Sequence, residues 1–291
     1  MTETDPGPAV AGTVRLSELL GALSFALDLT EGQPEGHCVR CCWIGMRVGR
    51  ELALSQAELW ELYYTLLLKD LGCSSNAARI CELYLTDDRS FKRDFKTVGD
   101  RVPEVLRFVL SHTGLKAGLS ERFRTILHIV QNGSEIAREL IETRCQRGAD
   151  IARQLRFSEK VAQGIQSLDE HWAGGGKPLG LAGEALPIYS RIALLAQVVD
   201  VFQVAGGRES ARAEVTARSG TWFDPAIVAA FERAASEPDF WSRLDSPDLA
   251  RTIFDLEPAQ HRRSVDEDYL DDIAEAFALV VDSKSPFTSG H

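Results

Sequence analysis

The sequence predicts an all-α fold. Apolar residues recur at helical spacing through nearly the whole chain after residue 13. Cap-and-proline pairs punctuate the runs, and no segment alternates apolar and polar residues as a half-buried strand does. With 291 residues, 44% of them hydrophobic, the chain is long enough to bury a real core in one large domain or two modest ones.

Residues 1–13 are polar and rich in Pro and Gly, so disorder is expected there. "VRLSELLGALSFALDL" then places Leu16, Leu19, Leu20, Leu23 and Leu27 on one helical stripe. "VRCCWIGMRVGRELAL" sets Val39, Trp43, Met46 and Leu52 in similar register. Ser55 and Glu58 form a capping box ahead of "LWELYYTLLLKDLG", with Gly72 as its stop. "SSNAARICELYL" reads as a helix capped by Ser75 or Asn76, and "TDDRSFKRDFKTVGD" as a loop. Pro103 stands at the first turn of "PEVLRFVLSH". A long helical run from Glu121 to Arg156 is expected to break near Gly133. Ser158 caps "EKVAQGIQSL", a Gly/Pro-rich loop follows, and "LPIYSRIALLAQVVDVFQVA" is an apolar helix. Asp224-Pro225 and Ser246-Pro247 are two further helix starts.

The formal net charge of −11 argues against binding nucleic-acid polymers, because an acidic surface repels phosphate chains. No apolar run reads as long enough to span a membrane, and "MTETDPGPAVAG" lacks the parts of a signal peptide. A soluble, cytoplasmic protein with reduced thiols is expected. Cys38, Cys41 and Cys42 look like half a zinc site, but no second cysteine pair completes it. At i, i+3 and i+4 they share a helix face, and buried core thiols are the favoured reading.

Trp43, Trp60, Tyr63 and Tyr64 read as core or interface aromatics. Tyr63 and Tyr64 are adjacent and do not both fit one inward stripe, so one is expected to mark a dimer surface. His112 and His128 are expected to be structural, and His171 a solvated loop residue. In "SLDEHWAGGGKPLGLAGEALP" the Gly-Gly-Gly-Lys run lacks phosphate-loop spacing, and Pro178 stands where that motif needs Ser or Thr.

Five stretches together resemble the HD-GYP branch of the HD-domain phosphohydrolases, over about residues 15–235. "GHCVR" is similar to the family's Gly-His-Ser, with His37 on the motif histidine. In "LLLKDLG" Asp70 matches, while Lys69 replaces a histidine and Cys73 a phosphate-contacting lysine. In "RCQRGADIARQL" Arg144 replaces a histidine and Gly148 matches. Around the Gly-rich loop Glu170, Gly174, Gly176 and Pro178 match, while Leu168 and Asp169 replace two histidines, Ala173 an aspartate and Lys177 a tyrosine. In "SRIALLAQVVDVF" Arg191 and Asp200 match, and Gln197 replaces a metal-binding aspartate.

The resemblance implies an HD-domain-like helical bundle whose active members bind two or three iron or manganese ions and hydrolyse cyclic di-GMP. A di-metal site needs converging imidazoles and carboxylates. Here His37, Asp70 and Asp169 are the expected ligands, should a metal be kept, with Asp200 joining them in an active enzyme, and Lys69 and Arg144 put positive charge where cations would sit. No cofactor is therefore expected; iron or manganese is the alternative. Lys69, Arg144, Lys177, Arg191, Glu170 and His171 are the candidate ligand-binding residues for a cyclic dinucleotide, and Asp70 and Lys69 the candidate catalytic ones. A competing expectation pairs Lys69 with Asp169, and Arg144 with Asp70 or Glu170, in a filled core.

"LLGALSFALDLTEGQPEGH" is echoed by "DIAEAFALVVDSKSPFTSGH", which suggests a repeated unit. The expected organisation is a disordered segment 1–13, an HD-GYP-like domain 14–235, a helical linker 236–264 and the start of a second such domain at 265–291. On this reading the first domain is catalytically degenerate. It regulates or dimerises an attached C-terminal HD-GYP domain in the parent protein and forms a homodimer. The alternative is an active metal-dependent phosphohydrolase with a non-standard metal site.

Overall fold

A computed structural model describes residues 15–31, 35–76, 111, 113, 119–258 and 265–282. Among the described residues every regular element is helical, as expected; the one β-type contact is an isolated bridge between Ser219 and Phe223. The helices are α1 (Leu16–Glu31), α2 (His37–Glu51), α3 (Gln56–Leu68), α4 (Leu119–Gln154), α5 (Glu159–Gln166), α6 (Ile188–Ala217), α7 (Pro225–Ala235), α8 (Phe240–Leu244), α9 (Leu249–Asp255) and α10 (Glu267–Asp282).

Helix α2 is the centre of the bundle. Eleven of its fifteen residues are buried, and it packs against α1, α3, α6, α7 and α9. It can be surrounded in this way because small residues let neighbours close in. A Cβ at Gly45 would lie 2.5 Å from Leu66 Cδ1, and one at Gly49 2.7 Å from Leu62 Cδ2. Gly36, in the left-handed region at φ 79°, turns the chain so that α2 begins at His37.

The capping signals behave as read. Ser55 accepts from Glu58 N while the Glu58 carboxylate accepts from Ser55 N, Ser158 accepts from Val161 N, and Asp224 accepts from Ala226 N with Pro225 at the first turn. Several boundaries differ from the sequence reading. Helix α4 runs unbroken through Gly133, where a Cβ would meet nothing within 4 Å, so the glycine marks no packing constraint. Helix α3 stops at Leu68, and Gly72 instead ends the turn that carries Lys69 and Asp70. After Ser246-Pro247 the helix starts only at Leu249.

Tyr63 and Tyr64 are both fully buried, so neither marks a dimer surface. Their rings meet edge to face at 5.0 Å, and Tyr64 Oη donates to the buried Glu257 at 2.6 Å. A helix buried on most of its circumference has an inward place for consecutive residues. Helix α6 also corrects a reading: by length and composition it is long and apolar enough to cross a membrane. More than half of its most apolar stretch is buried inside the bundle, which a core helix explains.

Helices α8 and α9, within the expected linker, fold onto the same core through Phe240, Leu244, Leu249 and Ile253. Trp43 Nε1 donates to Phe240 O at 3.0 Å. Helix α10 packs on α4, and Tyr269 Oη donates to Leu155 O at 2.8 Å. The 1–13 segment, the helix expected beyond Asn76, the loop after Thr86, the Pro103 start, Cys81, His112 and the terminal Gly-His lie outside the described residues.

Candidate functional site

The N-terminus of α2, the turn after α3 and the middle of α6 bring His37, Lys69, Asp70 and Asp200 into one buried cluster. His37 is wholly buried, Lys69 is 3% exposed and Asp200 1%. Lys69 Nζ donates to Asp70 Oδ2 at 2.5 Å and lies 2.9 Å from His37 Nε2. An ammonium has only protons to offer, so Nε2 accepts and the ring's proton sits on Nδ1. Nδ1 then donates to Asp200 Oδ2 at 2.6 Å. Arg40, one turn along α2, closes the chain by donating to Asp200 Oδ1 at 2.5 Å and Oδ2 at 3.2 Å.

The charges support one another. Burial alone would depress Lys69, but the Asp70 carboxylate outweighs it and holds the ammonium well above its ordinary range. Burial likewise works against the Asp200 charge. The hydrogen bonds from His37 and Arg40 prevail and keep that carboxyl below its usual value. The thiols line the cluster: Cys38 Sγ donates to Asp70 Oδ2 at 3.3 Å, and Cys73 Sγ to Asp70 Oδ1 at 3.6 Å. Burial pushes Cys38, Cys41 and Cys42 upward, so they stay protonated.

One acid was not anticipated. Asp28 of α1 is 1% exposed, forms no ion pair, and has Cys38 as its weak hydrogen-bonding neighbour. Burial, then the Asp70 charge, raise it to about 6, with Lys69 opposing. Arg40 was also missed. Its signal was position: it follows His37 by three residues, the spacing that shares a helix face. Asp28 had a fainter signal, an acid beside Leu27 at the edge of an apolar stripe.

Arg144 stands in a second group. It donates to Asp169 through Nε at 3.1 Å and through Nη2, and Cys145 Sγ donates to the same oxygen at 3.4 Å. The pairing thus differs from the expected one. Lys69 takes its sequence neighbour Asp70, already within reach across the turn, which leaves Asp169 to Arg144.

In the Gly-rich loop Glu170 faces the backbone. Its Oε1 accepts from Leu179 N at 2.5 Å and Gly180 N at 2.9 Å. Asp169 O accepts from Lys177 N at 3.1 Å. A Cβ at Gly176 would lie 2.2 Å from His171 N, so the loop folds back this tightly only with glycine there. His171 lies in the loop and is half-buried: it stacks on Trp222 at 4.0 Å, and Arg218 covers that indole at 3.9 Å. Arg191 pairs with Asp224 at 2.7 Å and lies over Trp172 at 5.6 Å. Lys177 is half-buried, and His128, on α4, is exposed and lies 3.2 Å from Asn132 Nδ2.

Among the described residues, two donor groups have the composition of a metal site, His37 with Cys41 and Asp200, and Asp28 with Cys38 and Asp70. Within each, one atom per residue lies within 4.8 Å of the others. As arranged, neither fits a divalent cation. Asp200 is taken up by His37 and Arg40, and the place between His37 Nε2 and Asp70 Oδ2 is filled by Lys69 Nζ. The thiols are neutral, whereas a thiol ligates as the thiolate.

The HD domain family model matches residues 118–227. The chain is 55% identical over 279 residues to 3'3'-cGAMP-specific phosphodiesterase 3 of Vibrio cholerae serotype O1, covering 96% of this chain and 61% of that protein. It is 23% identical over 231 residues to a cyclic di-GMP phosphodiesterase of Thermotoga maritima, covering 76% of this chain and 50% of that protein. A crystal structure of a cyclic GMP-AMP-specific phosphodiesterase of V. cholerae superimposes with a TM-score of 0.76 at 49% identity, over 96% of this chain and 63% of that one. The chain thus spans about three fifths of the length of its nearer relatives. Identity of 55% along nearly the whole chain to a phosphodiesterase overturns the expectation of a degenerate domain with a purely regulatory or dimerising role. HD-domain phosphodiesterases are metal-dependent, so the expectation that no cofactor is used finds no support.

Proposed function

From the premise that the chain is an HD-GYP-like member of the HD-domain phosphohydrolases, we propose that it is part of an active, metal-dependent phosphodiesterase of cyclic dinucleotides. The observation that carries the reading is its 55% identity, over 96% of its length, to an enzyme specific for 3'3'-cGAMP. The proposed substrate is therefore a cyclic dinucleotide with a guanine and an adenine, ahead of cyclic di-GMP. The activity is proposed for the whole protein, of which this chain corresponds to about 61% of that relative.

The proposed metal is iron or manganese, which would supply hydroxide at neutral pH and neutralise charge on the phosphodiester. No step is assigned to a metal within the His37 cluster, because Lys69 fills it. What this chain's own residues do is hold geometry. Glu170 pins the Gly-rich loop through two backbone N–H groups. Beside the loop, His171 stacks on Trp222 and the Arg218 guanidinium covers the same indole, which fixes the loop's flank.

The test is hydrolysis by the full-length protein with manganese or ferrous iron, using 3'3'-cGAMP and cyclic di-GMP as competing substrates and chromatography to separate the linear products. Linear dinucleotide is expected, formed faster from 3'3'-cGAMP. Absence of hydrolysis of either substrate by folded, metal-supplied protein would sink the proposal.

A further inference from the structure

Among the described residues, two that are not glycine hold a left-handed backbone, Ala53 at φ 55° and Arg156 at φ 58°. Arg156 does so at the end of α4. Phe157 N donates to Ala152 O at 3.1 Å and Arg156 N to Arg153 O at 2.9 Å, the paired closing bonds of a helix end that favours glycine at the left-handed position. An arginine there carries a steric strain that glycine would relieve. Its side chain reaches α10 by three contacts. Nε lies 2.5 Å from Asp272 Oδ2, Nη2 donates to Asp268 O at 3.4 Å, and the guanidinium lies 5.1 Å from the centre of the Tyr269 ring.

Helices α4 and α10 run antiparallel, and each serves the other's open end. Tyr269 Oη donates to Leu155 O at 2.8 Å, at the C-terminus of α4. Arg147 Nη2 of α4 donates to Leu279 O at 3.4 Å, in the last turn of α10. Tyr269, Ile273, Ala276 and Val280, spaced by four, three and four positions, make the apolar seam of α10, and none is more than 5% exposed. Helix α10 also packs against the 3-10 turn Cys73–Asn76. That turn directly follows Gly72, which lies against the α4 backbone at Arg144 and Gly148.

We propose that α10 is a strap with Arg156 as its fastener: it holds the Cys73–Asn76 turn onto α4 and so links its own docking to the segment that carries Lys69 and Asp70. The ion pair alone does not account for a strained arginine. The Arg156 side chain is 47% exposed, and a pair in such surroundings contributes little by itself. One planar fork instead joins a carboxylate, a backbone carbonyl and a ring, all in the first turn of α10, and glycine would forgo all three. Arg156 is thus a positioning residue that acts through α10. The strap does not rest on the hydrolysis proposed above, and its test reads amide exchange rather than turnover.

The experiment is hydrogen exchange on the full-length protein. Arg156→Gly relaxes the backbone and removes the fastener, so loss of the fold is not expected. Amides of α10 should exchange about tenfold faster or more, and those of Cys73 and Ser75, bonded to Asp70 O and Gly72 O, about threefold faster or more, with α2 unchanged. Arg156→Asp, a residue that tolerates the left-handed region better than most, should act like Arg156→Gly. Adding Asp272→Arg to Arg156→Asp restores opposite charges across the joint and should slow α10 exchange again.

Unchanged α10 exchange in Arg156→Gly would overturn the proposal. Faster exchange in α10 with none at Cys73 and Ser75 would overturn the strap as well, because α10 would then dock without holding the turn. Equal exchange in Arg156→Asp with and without Asp272→Arg would remove Arg156 as the fastener.

Discussion

Lys69 Nζ lies 2.9 Å from Nε2 of His37, and this contact fixes which ring nitrogen carries the proton. With Nε2 accepting, Nδ1 donates to Asp200, and Asp200 is held in turn by Arg40. Asp70, Lys69, His37, Asp200 and Arg40 form one continuous buried relay in which each donor meets an acceptor. Within it a neutral imidazole bridges two ion pairs, so no uncompensated charge is left inside.

Breaking that relay at one end should be expensive. Lys69→Met leaves Asp70 charged and buried beside neutral thiols, a loss of about 3–5 kcal/mol. The second substitution Asp70→Asn should recover a large part of it, because both charges then leave together. Urea denaturation of the two single variants and the double variant gives the coupling energy directly. Additive losses would show that the two groups do not act as a pair.

Asp28 makes stability fall as pH rises. Its ordinary value of 3.8 is raised to about 6 by burial and by Asp70. Between those values the folded protein binds the extra proton, so the associated stability is fully present below about pH 3.8 and is lost as pH climbs through 6. A shift of that size corresponds to about 3 kcal/mol. Asp28→Asn should remove this term. Its advantage over wild type should grow from pH 4 to pH 7 in denaturation curves, and a pH-independent difference would refute the assignment.

Much of this was legible in the sequence, and the missing parts share a cause. Caps at Ser55, Ser158 and Asp224 depend on residues two or three apart, so a linear reading finds them. The convergence of His37, Asp70 and Asp200 was reachable only through motif resemblance, since 163 positions separate His37 from Asp200. Which cation meets which acid was not legible. Lys69 has Asp70 beside it and Asp169 far along the chain, and only the path of the turn after α3 selects the neighbour. Tyr63 and Tyr64 were misread because one inward stripe was assumed for a helix buried on most sides. The residue swaps at Lys69 and Arg144 suggested lost catalysis, yet substitution inside one cluster does not decide what a larger protein does, and identity along the chain pointed the other way.

The Gly-rich loop should loosen without Glu170. Its Oε1 satisfies the N–H groups of Leu179 and Gly180, and both lose their acceptor in Glu170→Ala. Each such bond to a charged acceptor is worth about 1.5–3 kcal/mol. Hydrogen exchange at these two amides should accelerate by tenfold or more, with exchange in α2 little changed. Equal acceleration in α2 would mean that Glu170 supports the bundle rather than the loop.

The last prediction concerns how the turn bearing Lys69 and Asp70 meets α4. Gly72 and Gly148 face one another there, but their constraints differ in kind. A Cβ on Gly72 would fall 1.8 Å from Arg144 O and 2.7 Å from Gly148 N, both backbone atoms of a long helix that has no room to yield. A Cβ on Gly148 would first meet Ile165 Cγ2 at 2.9 Å, the end of a side chain that can rotate. Overpacking costs about 1–3 kcal/mol where side chains absorb it and more where backbones must part. Gly72→Ala should therefore destabilise the protein more than Gly148→Ala does, and should also push the turn bearing Lys69 and Asp70 off α4. Melting temperatures of the two variants test the order. If Gly148→Ala proves the worse, the close approach of the turn to α4 is not what holds the ion-pair cluster in place.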